Sequence, residues 1–206
     1  LAPLIGCAVC LAALPPAILV LLDAWKTQEI VAVFDATSPT ARGEILERYF
    51  DTPPAQLSSQ AAAALAELAI EGASHTTENG LRKLYLGEAI DLVKRVRVAR
   101  PDWPIGNILR ARLLVAQSGT ITPPAIQAFQ ASYANGGFLR REAKWRIAFA
   151  TLCWRSLTSH TRSAVVDEAV WMVRYDGNLR PEIEALLGDS PAAVSFQLRL
   201  ARPLSR

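Results

Sequence analysis

LRKLYLGEAIDLVKRVRVARPDWPIGNILRARLLVAQSG, residues 81–119, sets two apolar stripes of helical period on either side of a proline. In the first, Leu81, Leu84, Tyr85, Ala89, Leu92, Val93 and Val96 recur at the three-to-four spacing that lines one face of a helix. Pro101 ends it, because the residue before a proline is pushed out of the helical region. A second helix is expected from Trp103 to Gln117, with Ile105, Ile108, Leu109, Leu113 and Ala116 on its apolar side and Ser118-Gly119 as its stop. Two amphipathic helices joined by so short a link read as an antiparallel hairpin with one apolar face still open.

Reading outward toward the C-terminus, the same grammar repeats. Thr122-Pro123 opens a helix holding Ile126, Phe129 and Tyr133, and Asn135-Gly136-Gly137 closes it. A long helix is expected from Phe138 to Leu157, with Trp145, Ala148, Phe149, Leu152 and Cys153 inward. Thr161–Tyr175 follows, stopped by Asp176-Gly177, and shorter helices at Arg180–Leu187 and Ser190–Ala201 complete the chain. The expected hairpins are 81–99 with 103–117, 123–135 with 138–157, and 161–175 with 180–187. Their period of about 35–40 residues is close to that of tetratricopeptide-type repeats, whose units bury their open faces by stacking.

Toward the N-terminus, Ser38-Pro39 reads as N-cap and first helical residue of a helix through Phe50, and Pro53-Pro54 breaks it. An alanine-rich helix is expected over Gln60–Glu71, then a polar loop from Gly72 to Gly80. Period-two alternation is almost absent. The expected class is therefore all-α: an anchor over 1–25, linking helices over 26–80 and a helical-hairpin repeat domain over 81–206.

The anchor rests on residues 1–22, LAPLIGCAVCLAALPPAILVLL, which carry no charge. A helix of that length rises about 33 Å, enough for a bilayer core of about 30 Å. Pro15-Pro16 would kink it, which membrane helices tolerate. Trp25 and Lys26 stand where interfacial residues belong, and Gly6, Ala8, Ala12 and Ala13 would let another membrane helix approach closely. Two alternatives stay open: a signal peptide, although no small-x-small site follows Leu22, and lipidation at Cys7 in Leu4-Ile5-Gly6-Cys7, although the chain stays apolar beyond it. Cys10 is a further acylation candidate.

The chain has 206 residues, of which 51% are hydrophobic and 20% charged, a balance that excludes disordered and collagenous classes, and its single stretch apolar enough to span excludes a polytopic membrane protein. Three cysteines, two of them in the apolar stretch, exclude a disulfide scaffold or zinc finger. The net charge of +3 hides an asymmetry: residues 1–91 carry five basic and eleven acidic side chains, residues 92–206 seventeen and eight. Basic groups concentrate at Lys94, Arg95, Arg97 and Arg100, and at Arg140, Arg141, Lys144 and Arg146. They read either as solvated helix faces or as contacts for an anionic lipid, glycan or protein surface. No nucleic-acid motif accompanies them.

Catalytic patterns are missing from the sequence. His75 and His160 lack paired metal-ligand spacing, Cys153 sits among apolar residues, and Glu44/Glu47, Asp167/Glu168 and Glu182/Glu184 fit exposed or helix-start positions. No enzyme, cofactor or metal is expected. Trp103, Trp145, Trp154 and Trp171 spread over the expected repeats. On a single helix Trp145 and Trp154 would lie roughly 180° apart at ~100° per residue, so one of them is expected to face a partner. Trp103, Trp145 and Trp154, with Arg140, Arg141 and Lys144, are the candidate partner contacts.

Three motifs carry a resemblance: Arg100-Pro101-Asp102-Trp103 between paired helices, Ala128-Phe129-x-x-Ser132-Tyr133-Ala134, and Arg141-x-x-x-Trp145-Arg146-x-Ala148. With them, segment 85–187 resembles divergent helical-repeat proteins of alphaproteobacterial cell envelopes. Such proteins often join one N-terminal membrane helix to a tetratricopeptide-like periplasmic domain and accompany surface-polysaccharide synthesis and export. The full repeat pattern is not in register here, so the repeats are degenerate. The resemblance implies a single-pass protein of the bacterial inner membrane with a periplasmic domain. It would act as a non-catalytic scaffold or accessory subunit whose partners are other membrane-protein subunits. An accessory role in a photosynthetic, respiratory or secretion complex is the alternative, and a small glycan-active enzyme a third.

Overall fold

The computed structural model describes residues 24–30, 32, 39–50, 52–53 and 57–202, and among them there is no strand. The protein is all-α. Helix α1 is described over residues 24–30. There follow α2 (Pro39–Phe50), α3 (Ser59–His75), α4 (Asn79–Ala99), α5 (Pro104–Ser118), α6 (Pro123–Ala134), α7 (Ala143–Leu152), α8 (Ser159–Tyr175), α9 (Arg180–Leu187) and α10 (Pro191–Leu200). Residues 1–23 of the expected anchor, with Gly6, Ala8, Ala12, Ala13, Cys7 and Cys10, lie outside the described residues. Among those described, no helix is long and apolar enough to cross a membrane.

Local chemistry sets most boundaries. Ser58 caps α3 by accepting from the Ala61 amide at 3.1 Å, and Thr158 caps α8 by accepting from Thr161 at 3.2 Å. Prolines stand in the first turn of α5, α6 and α10, where a missing N–H costs nothing. Gly119 ends α5 at φ +71°, a left-handed conformation that glycine adopts without a Cβ clash.

Contacts divide the chain into two compact units, Leu1–Pro101 and Asp102–Arg206. In the first, α3 pairs with α4, and α2 packs on α3. Alanines line the α3 interior, with Ala61, Ala62, Ala66 and Ala69 fully buried, so neighbouring backbones come close. Gly72 shows how close: a Cβ there would sit 3.0 Å from the Tyr85 ring. Gly72 is therefore a packing glycine inside α3, and the loop expected over Gly72–Gly80 shrinks to Thr76–Glu78. The Tyr49 hydroxyl donates to Glu29 at 2.7 Å, and Arg48 pairs with the same carboxylate, tying α2 to α1.

In the second unit α5 pairs with α6, α7 packs on α8 and α9, and α10 packs on α8. Phe129, Ile147, Val165, Met172, Ile183 and Phe196 form the centre of its core. Two expectations are corrected here. The main pairings differ from those expected: within the first unit 79–99 pairs backward with 59–75, and within the second 104–118 pairs forward with 123–134 and α7 with α8, while the expected contact of 161–175 with 180–187 is kept between α8 and α9. The long helix expected over Phe138–Leu157 is α7, Ala143–Leu152, followed by a 3₁₀ turn at Trp154–Ser156. That turn rotates the chain, so Trp154 and Leu157 both reach the core, where a straight helix would carry Trp154 away from it.

Candidate functional site

The loop between α6 and α7 organises the second unit. Asn135-Gly136-Gly137 stops α6, and Gly136 lies so near α5 that a Cβ would meet Pro104 Cγ at 2.9 Å. Phe138 then adopts φ +50°. A bulky residue in the left-handed region costs about 1–2 kcal/mol, so the surroundings must impose it.

They do so through a buried ion pair. Arg146 on α7 and Glu168 on α8 are both 0% exposed, and the Arg146 Nη1 donates to Glu168 Oε1 at 3.1 Å. The Leu139 amide donates to the same oxygen at 2.9 Å, and the Tyr133 hydroxyl donates to Glu168 Oε2 at 2.6 Å. Arg146 Nη2 donates to the Gly136 carbonyl at 3.2 Å, and its guanidinium lies 3.4 Å from the Tyr133 ring centroid. The pair thus grips the loop on both sides of Phe138. The Leu139 amide bonds Glu168, and α7 begins only at Ala143, later than its sequence pattern implies.

The grip presents an aromatic ladder. Phe138, 51% exposed, stacks on Trp171 with ring centroids 5.4 Å apart, and Trp171 stacks on Tyr175, 57% exposed, at 5.8 Å. Trp171 and Tyr175 are one turn apart on α8 and so share a face. Arg140 closes the ladder: its guanidinium lies 4.7 Å from the Tyr175 ring centroid, and its Nη1 donates to the Tyr175 hydroxyl at 3.0 Å. Aromatic and arginine side chains in exposed, mutually ordered array are the composition of interface hot spots.

Of the candidate contacts, Arg140 belongs to the ladder and Arg141 is exposed beside it in sequence. Lys144 is paired with Glu182 at 2.7 Å. Trp145 is half-buried, packed on Phe149 at 5.0 Å, with the Arg112 guanidinium 4.7 Å from its ring centroid; Arg112 in turn holds Glu142 at 2.8 Å. Trp154 is only 9% exposed, so the expectation that Trp145 or Trp154 must face outward gives way: the helix between them ends, and both pack on one core. Trp103 is the half-buried N-cap residue of α5. Trp25 is 63% exposed and Lys26 half-buried. Glu168, expected at an exposed or helix-start position, is the buried centre, and Arg146 leaves the basic surface cluster for the interior.

Sequence reasoning missed Phe138 and Tyr175 as surface features. The available signals were a phenylalanine directly after Gly-Gly and the one-turn spacing of Trp171 and Tyr175.

Among the described residues no three His, Cys, Asp or Glu side chains come together. His75 lies 3.9 Å from Glu71 on the surface of α3. Burial pushes the Cys153 thiol up to about 11, and its sulfur donates to the Phe149 carbonyl at 3.3 Å, so it is a packed, unreactive group.

Burial, reinforced by Glu168, also pushes the Tyr133 phenol well above its ordinary 10.0, against the opposing pull of Arg146. In the unfolded chain this phenol ionises near pH 10, whereas the folded one keeps its proton. The raised value contributes stability that is full below about pH 10 and lost progressively above it. Chemical denaturation followed between neutral and strongly alkaline pH should show this decline, and Tyr133→Phe should flatten its slope. An equal slope in both proteins would remove Tyr133 as its source.

No family model matches the chain, and no curated protein or solved structure matches it either.

Proposed function

We propose that this chain is a non-catalytic, membrane-anchored scaffold or accessory subunit of a bacterial cell-envelope assembly, with surface-polysaccharide synthesis or export as its setting. Residues 1–25 would hold it in the inner membrane, and the helical-hairpin part, of tetratricopeptide-like kind, would stand in the periplasm. The observation that carries this reading is the ladder Phe138–Trp171–Tyr175 with Arg140 at its end. Its loop is held in a strained conformation by a buried ion pair, an expense that a merely structural turn does not require. The succession of paired helices α3–α4, α5–α6 and α7–α8 supports a repeat-like organisation, with main pairings that differ from those expected.

The partner in this reading is another membrane-protein subunit that offers an apolar segment with acidic flanks. Apolar area would meet the three rings, and carboxylates would meet Arg140 at the end of the ladder. Gentle detergent extraction from the native membrane, capture through a C-terminal tag and mass spectrometry test it. A stoichiometric set of membrane subunits is expected, and their identity separates polysaccharide machinery from an energy-converting or secretion complex. A lone intact chain after mild extraction overturns the subunit reading. Co-purifying anionic lipid or glycan without protein would replace the partner by that ligand.

A further inference from the structure

A second site lies on a different part of the same unit. Between the first turn of α8 and helix α10 is a recess of about 430 Å³, lined by Ser159, Arg162, Ser163, Ser195 and Arg199 with Trp154 at one wall. Its lining contains two guanidinium groups and three hydroxyls but no carboxylate.

The two arginines are in different states. Arg199 is fixed: it donates to Ser163 Oγ at 2.9 Å and to the Ser163 carbonyl at 3.2 Å, and it pairs with Asp167. Among the described residues the Arg162 side chain has no ion-pair or hydrogen-bond partner, and its Nε is buried without an acceptor. The Ser190 hydroxyl, one residue before Pro191 of the lining, is likewise buried and makes no capping bond. An oxyanion placed here would accept from the Arg162 fork and from serine hydroxyls together.

We propose that this recess binds a phosphate group, carried either by a soluble phosphate compound or by a lipid headgroup. A tetrahedral dianion has enough acceptor oxygens for a guanidinium and several hydroxyls at once, which a single chloride does not. The partial positive charges at the starts of α8 and α10 act in the same direction.

The test uses the full chain in phosphatidylcholine nanodiscs, with arginine isotope-labelled so that NMR reads the Nε–H signals of Arg162 and Arg199. Titration with inorganic phosphate in one arm, and exchange into discs doped with phosphatidic acid in the other, should shift both signals in at least one arm. Saturation by free phosphate alone identifies a soluble ligand; a response to doped discs alone identifies a headgroup. Arg162→Gln, which keeps the packing of the stem, should weaken the effect on the Arg199 signal about tenfold or more. No shift of the Arg162 signal in either arm overturns the proposal, and so does unchanged affinity in a folded Arg162→Gln protein. This result is independent of the partner pull-down, because Arg162 and the ladder residues share no contact described above.

Discussion

Glu168→Ala is expected to destabilise the Asp102–Arg206 unit by about 3–5 kcal/mol, the usual cost of leaving one member of a buried ion pair without its counter-charge. Arg146 would then lie at 0% exposure facing only the Gly136 carbonyl and the Tyr133 ring, while the Leu139 amide and Tyr133 hydroxyl would lose their acceptor. Tryptophan fluorescence during urea unfolding measures this selectively. Trp103, Trp145, Trp154 and Trp171 all lie in this unit, and only Trp25 lies in the other. The double replacement Arg146→Met with Glu168→Leu should recover much of the loss, because it removes both buried charges. A Glu168→Ala cost below about 1 kcal/mol would mean that water reaches the pair, since only solvated ion pairs are worth so little.

The second large effect concerns the ladder. Trp171→Ala should weaken partner binding by about 2 kcal/mol or more, roughly thirtyfold, as removal of a central aromatic hot spot does. Trp171 also packs against the core, so some stability will be lost with it. Phe138→Gly separates the two effects. It deletes an exposed ring and relieves a left-handed backbone conformation, so stability should hold or rise by about 1 kcal/mol while partner capture falls. Capture from membrane extracts, quantified beside the unfolding midpoint of each variant, gives the comparison. Full capture by Phe138→Gly and Trp171→Ala would remove the ladder as the docking surface. If Glu168→Ala lowers capture in a sample that is still folded, the ion pair acts as the positioning clamp for Phe138 and Arg140.

The contrast between Arg162 and Arg146 follows from the same physics. Both are arginines on helices with a buried Nε, but Arg146 meets a carboxylate and a carbonyl across the core, whereas Arg162 lines an open recess and has no acceptor among the described residues. The first arrangement is finished within the chain. The second is completed from outside it.

By itself the sequence determined what neighbours along the chain can determine. Pro39, Pro104, Pro123 and Pro191 mark helix starts, Gly119 and Asn135-Gly136-Gly137 mark stops, and the apolar stripes mark most of the buried faces, Leu84 and Leu152 being exposed exceptions, because capping and φ/ψ limits act over a few residues. The all-α class followed from these signals. Only the tertiary structure decided which helices pair. Within the first unit the stripe of α4 packs on α3, where Gly72 lets the Tyr85 ring approach. Only the tertiary structure, too, moved Arg146 and Glu168 from surface to interior. A charge can be buried only where its partner is, and here the partner stands 22 residues away on another helix. Phe138, Trp171 and Tyr175 became one surface for the same reason. The Phe138–Trp171 stacking depends on a loop conformation that Glu168 imposes from across the core, and no local rule encodes a force that arrives from that distance.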